Sequence, residues 1–322
     1  MNQTIARPCK IAVVGDVHDQ WDEGDERALR HLGVDLVLFV GDFGNESVEI
    51  VRAISQVSLP KAVILGNHDA WFTATTWGKG LRGLNHGDRV QQQLDLLGPA
   101  HVGYGKRDFP ELGVSVVGGR PFSWGGPSWK NGSFYQQRFG VAGFADSTAK
   151  IVAAAQQASQ STLIFIGHNG PQGLGDQPED PCGKDWNPIG GDYGDQDLTE
   201  AIAQSRALGK QVPLVTFGHM HHSLRHTKAR LRTQLVADDS GTVYLNAASV
   251  PRILPPEKDG PSGSKGLRRR NFSLVILEQG QVTQASLVWF RDDLTLQSEQ
   301  ILYQAPPALA VDLASGETKL LR

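Results

Sequence analysis

The chain has 322 residues, a length that accommodates one large α/β domain or two domains of ordinary size. Its hydrophobic fraction of 39% and charged fraction of 20% are those of a globular protein and argue against a disordered or fibrous one. The formal net charge of -3 gives no sign of a general binder of nucleic acids or anionic membranes.

The N-terminus and the cysteine content bear on the compartment. No apolar segment long enough for a signal peptide precedes the first strand candidate, and no run approaches a transmembrane span. Cys9 and Cys182 are the only cysteines, too few for a disulfide framework or a thiolate metal site. We therefore expect two inert thiols and a cytoplasmic protein.

Apolar runs of strand length alternate with helix-length polar segments over the first two-thirds of the chain. The strand candidates are Ile11–Val14, Leu36–Val40, Ala62–Leu65, Val114–Val117, Leu163–Ile166, Leu214–Phe217 and Val243–Leu245. Helix candidates lie at 21–32, at 47–56 and at 149–159. A fourth helix is expected to start at Asp197, where Glu200 completes a capping-box spacing. Repeated strand and helix segments predict a layered α/β fold.

The remaining segments break this alternation. The last third has strand-like runs and little helix, which predicts a strand-rich second sheet. Two stretches rich in glycine and aromatic residues, 118–146 and 169–197, are long for loops, and we expect them to form a pocket wall. We predict one domain over 1–322, with a core at about 10–295 and a C-terminal tail at 296–322 whose role is not readable.

Five apolar strand candidates stop at a glycine that is followed at once by Asp, Asn or His. These five residues are Asp16, Asp42, Asn67, His168 and His219, and further histidines follow at His18, His68 and His221. In a parallel sheet such strand ends share the carboxyl edge, where ligands bind. Any one of them alone is more typical of a turn than of a ligand. The five together predict a metal site.

Two carboxylates, one amide oxygen and four imidazoles make up the expected donor set. Seven donors are too many for one zinc ion, which typically takes four ligands, and they suit two divalent ions. Nitrogen and oxygen donors without thiolate suit manganese, iron, zinc or cobalt, and we expect manganese. Two-metal sites of this kind typically serve phosphatases, nucleases and related hydrolases.

The motifs from "GDVH" at 15–18 to "GHMH" at 218–221 resemble those of the calcineurin-like metallophosphoesterase superfamily, over about two-thirds of the chain. The resemblance implies a four-layer αββα sandwich, in which two mixed β-sheets are flanked by helices. The spacing around "GDVHDQWD" and "GDFGNE" looks most like a branch found in cyanobacteria and plant plastids.

The resemblance also implies the division of the metal ligands. The first metal would be held by Asp16, His18 and His221, and the second by Asn67, His168 and His219, with Asp42 bridging both. A hydroxide shared by the two metals would attack phosphorus. His68 matches the histidine that faces the phosphate and protonates the leaving oxygen, and Asp69 looks like the carboxylate that orients its imidazole.

Substrate-binding residues are less clear from the sequence. Protein serine/threonine phosphatases place an arginine just after the second motif, and none is present in "GDFGNE", which argues against a protein phosphatase. Arg120 is the candidate for binding the phosphoryl group, and its alternative is a surface arginine. Asn246 could lie at the rim of the site or in a structural turn. Trp71 and Trp77 could stack on a substrate, but the pattern favours packing in the core.

We therefore expect a metal-dependent phosphoesterase that acts on a small-molecule phosphate ester. One alternative is a nuclease or nucleotide phosphodiesterase, supported only by the basic run 268–270, which is more typical of a solvated loop. Another is a binding module without activity that holds a phospholigand or a partner protein. Since such proteins usually lose metal ligands and all seven are present, an enzyme is favoured.

Overall fold

In a computed structural model of the chain, the described residues are 7–81, 87–226, 230–256 and 266–306, with the backbone of two short strands beyond them. The strands are β1 Cys9–Val14, β2 Leu36–Phe39, β3 Lys61–Val63, β4 Lys106–Phe109, β5 Val114–Gly118, β6 Thr162–Ile166, β7 Gln211–Phe217, β8 Leu235–Ala237, β9 Val243–Asn246, β10 Ile253–Leu254, β11 Arg269–Glu278, β12 Gln281–Arg291, β13 Leu296–Gln304, β14 Leu309–Val311 and β15 Thr318–Leu320. The helices are α1 Glu23–His31, α2 Val48–Ser55, α3 Trp71–Ala74, α4 Thr76–Leu81, α5 Arg89–Leu97, α6 Gly132–Phe139, α7 Phe144–Gln157 and α8 Gln196–Ala207.

The strands form two mixed sheets. The first has the order β13-β12-β11-β1-β2-β3, with the short β10 paired to β11, and the second has the order β4-β5-β6-β7-β9-β8. In the first sheet β1, β2 and β3 run parallel, and in the second β5, β6, β7 and β9 do. β14 and β15 pair with each other as a separate hairpin.

The central strands of each sheet are buried on both faces. Between the sheets, side chains such as Leu38 of β2 belong to the same apolar cluster as Ile164 of β6. The outer face of the first sheet packs against α1, α2 and α5, where Leu29 and Ile54 are buried. The outer face of the second sheet packs against α7 and α8, where Leu198 is buried. This confirms the predicted α/β fold of two mixed sheets with flanking helices, because strands apolar throughout need both faces covered.

The last third of the chain does not build a second sheet of its own. β9 and β8 complete the second sheet, whereas β11, β12 and β13 extend the first. β11 pairs antiparallel with β1, with Val275 opposite Ile11. Since β2 covers only one edge of β1, β11 satisfies the backbone groups along the other edge.

The first sheet continues beyond residue 295, where we predicted the core to end. β13 runs to Gln304 and pairs with β12, although most of its side chains are exposed, which is why its sequence gives no core signal. Within the predicted tail, residues 307–308, 312–317 and 321–322 lie outside the described residues.

Two helices begin earlier than their sequence patterns predicted. α7 begins at Phe144 and not near residue 149. α8 begins at Gln196 with Asp195 at the N-cap position, so Asp197 does not start a capping box. The Asp197 carboxylate is buried and accepts a hydrogen bond from Arg120. None of the described helices combines the length and the apolar character needed to cross a membrane.

Candidate metal centre

The carboxyl ends of β1, β2 and β3 in one sheet meet those of β6 and β7 in the other. The backbone N–H of Asp16 donates to the Gly41 carbonyl at 3.0 Å, which joins the loops after β1 and β2. The N–H of His219 lies 3.0 and 3.1 Å from the two carboxylate oxygens of Asp16, which joins the two sheets. The sequence predicted that the donors would share one edge of a single parallel sheet. In the structure they lie where the carboxyl ends of strands from two sheets meet.

The glycines of these motifs make room for the donor side chains. A Cβ atom at Gly66 would overlap Asp42 Oδ1, and a Cβ atom at Gly218 would overlap Asp16 Oδ2. Four donor residues adopt the left-handed backbone region, with φ of 49° at Asp16, 44° at His18, 55° at Asp42 and 67° at His219. Such conformations are uncommon outside glycine, but Asp, Asn and His tolerate them better than most residues.

Asp16, His18 and His221 form the first donor group. The Nε2 atoms of His18 and His221 lie 3.1 Å apart, and they lie 3.9 and 3.4 Å from Asp16 Oδ1. One ligand atom from each of the three residues lies within 4.8 Å of the others. Side chains from β1 and β7 loops, about 200 residues apart in the chain, thus converge on one point.

Asp42, His168 and His219 form the second donor group, again with ligand atoms within 4.8 Å of one another. His168 Nε2 lies 3.2 Å from Asp42 Oδ1 and 2.8 Å from Asn67 Oδ1. The other ring nitrogen, Nδ1, lies 2.8 Å from the Val40 carbonyl, to which an N–H at this position donates. This contact orients the ring so that Nε2 faces the donors, as carbonyls do for histidines that bind metals.

The donor set fits two divalent cations. The carboxylates of Asp16 and Asp42 are 0% and 2% exposed, and in the part of the chain that the structure describes their ion-pair partners are histidines only. Buried carboxylates without lysine or arginine partners are costly unless a cation offsets their charge. Carboxylate, amide and imidazole donors suit manganese, iron, zinc or cobalt.

The protein environment shifts the pKa values of three histidines at the site. Burial disfavours a charged His168, but the Asp42 carboxylate outweighs this and raises the pKa of His168 to about 9. Burial and the neighbouring His168 lower the pKa of His219 to about 3. Burial also lowers the pKa of His68, against the opposing charge of Asp42. The four groups are therefore electrostatically coupled, as in sites where charge is concentrated for chemistry.

The sequence model of the calcineurin-like phosphoesterase family matches residues 9–223, which contain every donor described above. The chain belongs to the calcineurin-like phosphoesterase family. It is therefore a metal-dependent hydrolase of phosphoric esters, with two candidate metal sites. No curated protein sequence matches it significantly.

Solved structures of low sequence identity resemble this phosphoesterase. One crystal structure has a TM-score of 0.51 at 11% identity, covering 87% of this chain and 98% of the other. A dimetal phosphatase from Danio rerio has a TM-score of 0.43 at 13% identity, covering 92% and 99%. A purple acid phosphatase from yellow lupin seeds has a TM-score of 0.43 at 12% identity, covering 92% of this chain and 54% of the other.

His68 lies beside the donors of this phosphoesterase, but Asp69 does not touch its ring. Asp69 is buried, and its carboxylate accepts hydrogen bonds from the backbone N–H groups of Asp42, Phe43 and Gly66 at 3.0, 2.9 and 2.7 Å. It therefore braces the loops after β2 and β3. Asn45 instead lies within hydrogen-bonding distance of the ring, with its Oδ1 2.6 Å from His68 Nδ1.

Arg120 does not lie in the site. It is 3% exposed, and its guanidinium donates to the carboxylates of Asp195 at 2.6 Å and Asp197 at 2.9 Å. The ion pairs join the two glycine-rich stretches 118–146 and 169–197. Because the guanidinium is buried and already paired with two carboxylates of the second stretch, Arg120 cannot bind a phosphoryl group in the cleft.

Asn246 is also buried, and its side-chain amide hydrogen-bonds to backbone groups. Its Nδ2 donates to the Met220 carbonyl at 2.8 Å, and its Oδ1 accepts from the Ala248 N–H at 2.9 Å. Asn246 thus holds the loop that carries His219 and His221 from behind. It does not line the opening, because both polar atoms are used by the backbone around it.

A cleft of about 420 Å³ opens beside the donors, and Asp42, Asn67, His219 and His221 line it. Both glycine-rich stretches contribute to its lining, as does the segment after His221. The lining residues are Asp42, Asn67, His68, Trp71, Trp124, Lys130, Asp185, Trp186, His219, Met220, His221, Ser223, Arg225 and Arg232. The prediction of a pocket wall agrees with this placement. Trp71 was named as a possible substrate contact, although packing in the core was favoured. Trp124, Trp186 and the cations of the wall were not singled out, because loop sequences carry no periodic signal.

The basic run 268–270 is engaged in the fold. Arg268 pairs with Asp22 at 2.8 Å and with Asp292 at 3.0 Å. Arg270 is buried and pairs with Asp25 at 3.0 Å and with Asp292 at 2.6 Å. Because these charges are neutralised locally, the run offers little to the phosphates of a nucleic acid.

Proposed function

We propose that this phosphoesterase hydrolyses the P–O bond of a small-molecule phosphate monoester. The observation that carries the proposal is the convergence of two donor groups of the metal-binding type beside one compact cleft, which His68 also lines. A cleft of about 420 Å³ suits a small ligand better than a folded polymer.

In this proposal Asp16, His18 and His221 hold one divalent ion, and Asn67, His168 and His219 hold the other, with Asp42 shared. Asp42 is suited to bridging because its carboxylate has two oxygens, of which Oδ1 lies 3.2 Å from His168 Nε2 in the second donor group. When bound, two such ions supply an activated water and neutralise charge on the phosphoryl oxygens. Manganese is the ion that we propose first.

His68 is the proposed general acid that protonates the leaving oxygen. Its Nε2 lies 4.0 Å from Asp42 Oδ2, next to the donors, and its side chain is 30% exposed towards the cleft. Its Nδ1 is held by Asn45 and its ring stacks on Trp71 at 4.7 Å, so the reactive nitrogen is fixed in direction. A positioned histidine can contribute about 10²- to 10⁴-fold to the rate.

The positive charge that Arg120 was expected to supply is available from other residues. Lys130 and Arg225 both line the cleft with His68. The Lys130 ammonium donates to the Gly125 carbonyl at 3.2 Å and has further N–H groups for a ligand. We propose that these two side chains bind phosphoryl oxygens.

Further aspects of the protein stay proposals. The spacing of "GDVHDQWD" and "GDFGNE" supports a place in the branch found in cyanobacteria and plant plastids. Cys9 and Cys182 are free and buried, which supports a cytoplasmic location. The whole chain, 1–322, is proposed as one metallophosphoesterase domain. The diesterase alternative depended on the run 268–270, and the binding-module alternative has no observation in its favour.

The test is manganese-supported hydrolysis of nitrophenyl phosphate beside the matching bis-nitrophenyl diester. We expect a monoester preference, because the cleft is compact and Lys130 and Arg225 line it together with the donors. The His68→Ala variant should keep two bound metals and lose turnover, most severely with poor leaving groups. A diester preference would overturn the monoester assignment, and a loss independent of leaving-group pKa would overturn the acid role of His68.

A further inference from the structure

Three tryptophans line the cleft that holds the metal donors. They are Trp71, Trp124 and Trp186, three of the seven tryptophans in the chain, and each is half-buried. Trp71 follows the third donor motif, Trp124 lies in the stretch 118–146, and Trp186 lies in the stretch 169–197. Large apolar side chains from three separate segments therefore share one polar opening, where core packing does not account for them.

Two of these tryptophans form a row of contacting rings with the proposed acid, His68. The His68 ring stacks on Trp71 with centroids 4.7 Å apart and planes at 21°. Trp71 in turn contacts Trp124 at 5.1 Å and 31°. Trp124 Nε1 is buried and has no hydrogen-bond partner among the described residues, which costs stability. The row of contacting rings thus begins at the side chain that would face the leaving group.

The part of the cleft that carries Trp186 is held by contacts within the protein. Trp186 packs edge-on against Tyr193 with centroids 5.1 Å apart. The N–H of Gly126 donates to the Tyr193 carbonyl at 2.7 Å, and Gly126, at φ 88°, lets the Tyr193 ring lie against the backbone. Lys130 places its ammonium 5.4 Å from the centre of the same ring. These contacts tie the two glycine-rich stretches together, so little ordering is needed when a ligand binds.

We infer that the substrate is a phosphate ester whose leaving group carries an aromatic ring, which packs against Trp124 and Trp186 while the phosphoryl group lies at the metal donors. The inference rests on the proposed function, because it assigns a leaving group to that reaction. Rings pair with tryptophan in offset or edge-to-face geometry, and this adds affinity beyond the area that is buried. An aliphatic group of equal size gains only the burial term.

The test separates binding from turnover. Phenylethylphosphonate and cyclohexylethylphosphonate cannot be hydrolysed at the P–C bond, and they match in size and linker. Their binding to the manganese-loaded full chain is measured by calorimetry. We expect the phenyl compound to bind about 10-fold more tightly. The Trp124→Leu and Trp186→Leu variants should bring the two affinities together, whereas Trp186→Phe should keep most of the preference.

Trp289→Phe is the matched control, since Trp289 is a half-buried tryptophan on β12 that does not line the cleft. It should leave the phenyl preference unchanged. Equal affinity of the two phosphonates for the unmodified protein would overturn the inference, as would an undiminished preference in both leucine variants.

Turnover of the two corresponding phosphate esters reports on the proposed function separately. Both esters have primary alcohols as leaving groups, so the intrinsic difficulty of P–O cleavage is matched. If both esters were hydrolysed at the same kcat/KM and both phosphonates bound equally, the proposed monoester hydrolysis would stand and the preference for an aromatic leaving group would be refuted. If the phosphonates bound tightly and with a preference for the phenyl ring, but neither ester was hydrolysed, the proposed monoester hydrolysis would be refuted and the aromatic binding site would stand.

Discussion

Asn45 provides a sharp test of how the site holds His68. Its Oδ1 lies 2.6 Å from His68 Nδ1, so the ring presents Nε2 towards Asp42 and the cleft. The Asn45→Ala variant removes that contact while the stacking of His68 on Trp71 remains. The variant should therefore keep its metals and its fold, and lose part of the orientation of the acid.

The size of the effect follows from the hydrogen bond. A neutral hydrogen bond is worth about 0.5–1.5 kcal/mol net, and 1.4 kcal/mol corresponds to a factor of 10 in rate. Since Asn45 is exposed, we expect the lower part of this range, a fall in kcat of about 3- to 5-fold with an alkyl phosphate. With nitrophenyl phosphate the fall should be smaller, because that leaving group needs less protonation.

The assay is a double-mutant cycle read by kcat with both substrates. In a His68→Ala background, Asn45→Ala should have no further effect, since its partner is already absent. Asn45→Asp, which keeps an acceptor oxygen, should retain more activity than Asn45→Ala. An equal loss in both backgrounds, or an equal loss with both leaving groups, would refute the positioning role of Asn45.

Three further outcomes are expected. Asp42→Asn should lower the bound metal from two ions per chain, measured by elemental analysis, and a variant with two metals and full rate would refute the bridging role. Arg120→Met should destabilise the fold by about 3–5 kcal/mol in urea unfolding, because Asp195 and Asp197 are left buried without a cation; an unchanged midpoint would contradict this. Arg268→Ala should change stability by less than about 1 kcal/mol and leave nucleic-acid binding unchanged, since its ion pairs are surface contacts; a salt-sensitive loss of DNA affinity would reopen the diesterase alternative.

Local sequence determined the strands and the chemistry at their ends. Strands that are covered on both faces must be apolar throughout. A glycine is needed where a donor side chain comes close to the backbone, as the Asp42 carboxylate does at Gly66. Both signals lie within a few neighbouring residues, so they can be read without knowing the fold. The donor residues Asp16, His168 and His219 are visible for this reason.

Tertiary structure alone decided which side chains share the cleft. Arg120 and Lys130 are both cations in the same glycine-rich stretch, yet Arg120 is buried against Asp195 whereas Lys130 lines the opening. Asn45 likewise makes the hydrogen-bonding contact with His68 that was expected of Asp69, because this contact depends on how two loops from different strands lie together. The local sequence shows which residue types follow a strand. The direction of a loop side chain, in contrast, is set by contacts with residues far away in the sequence.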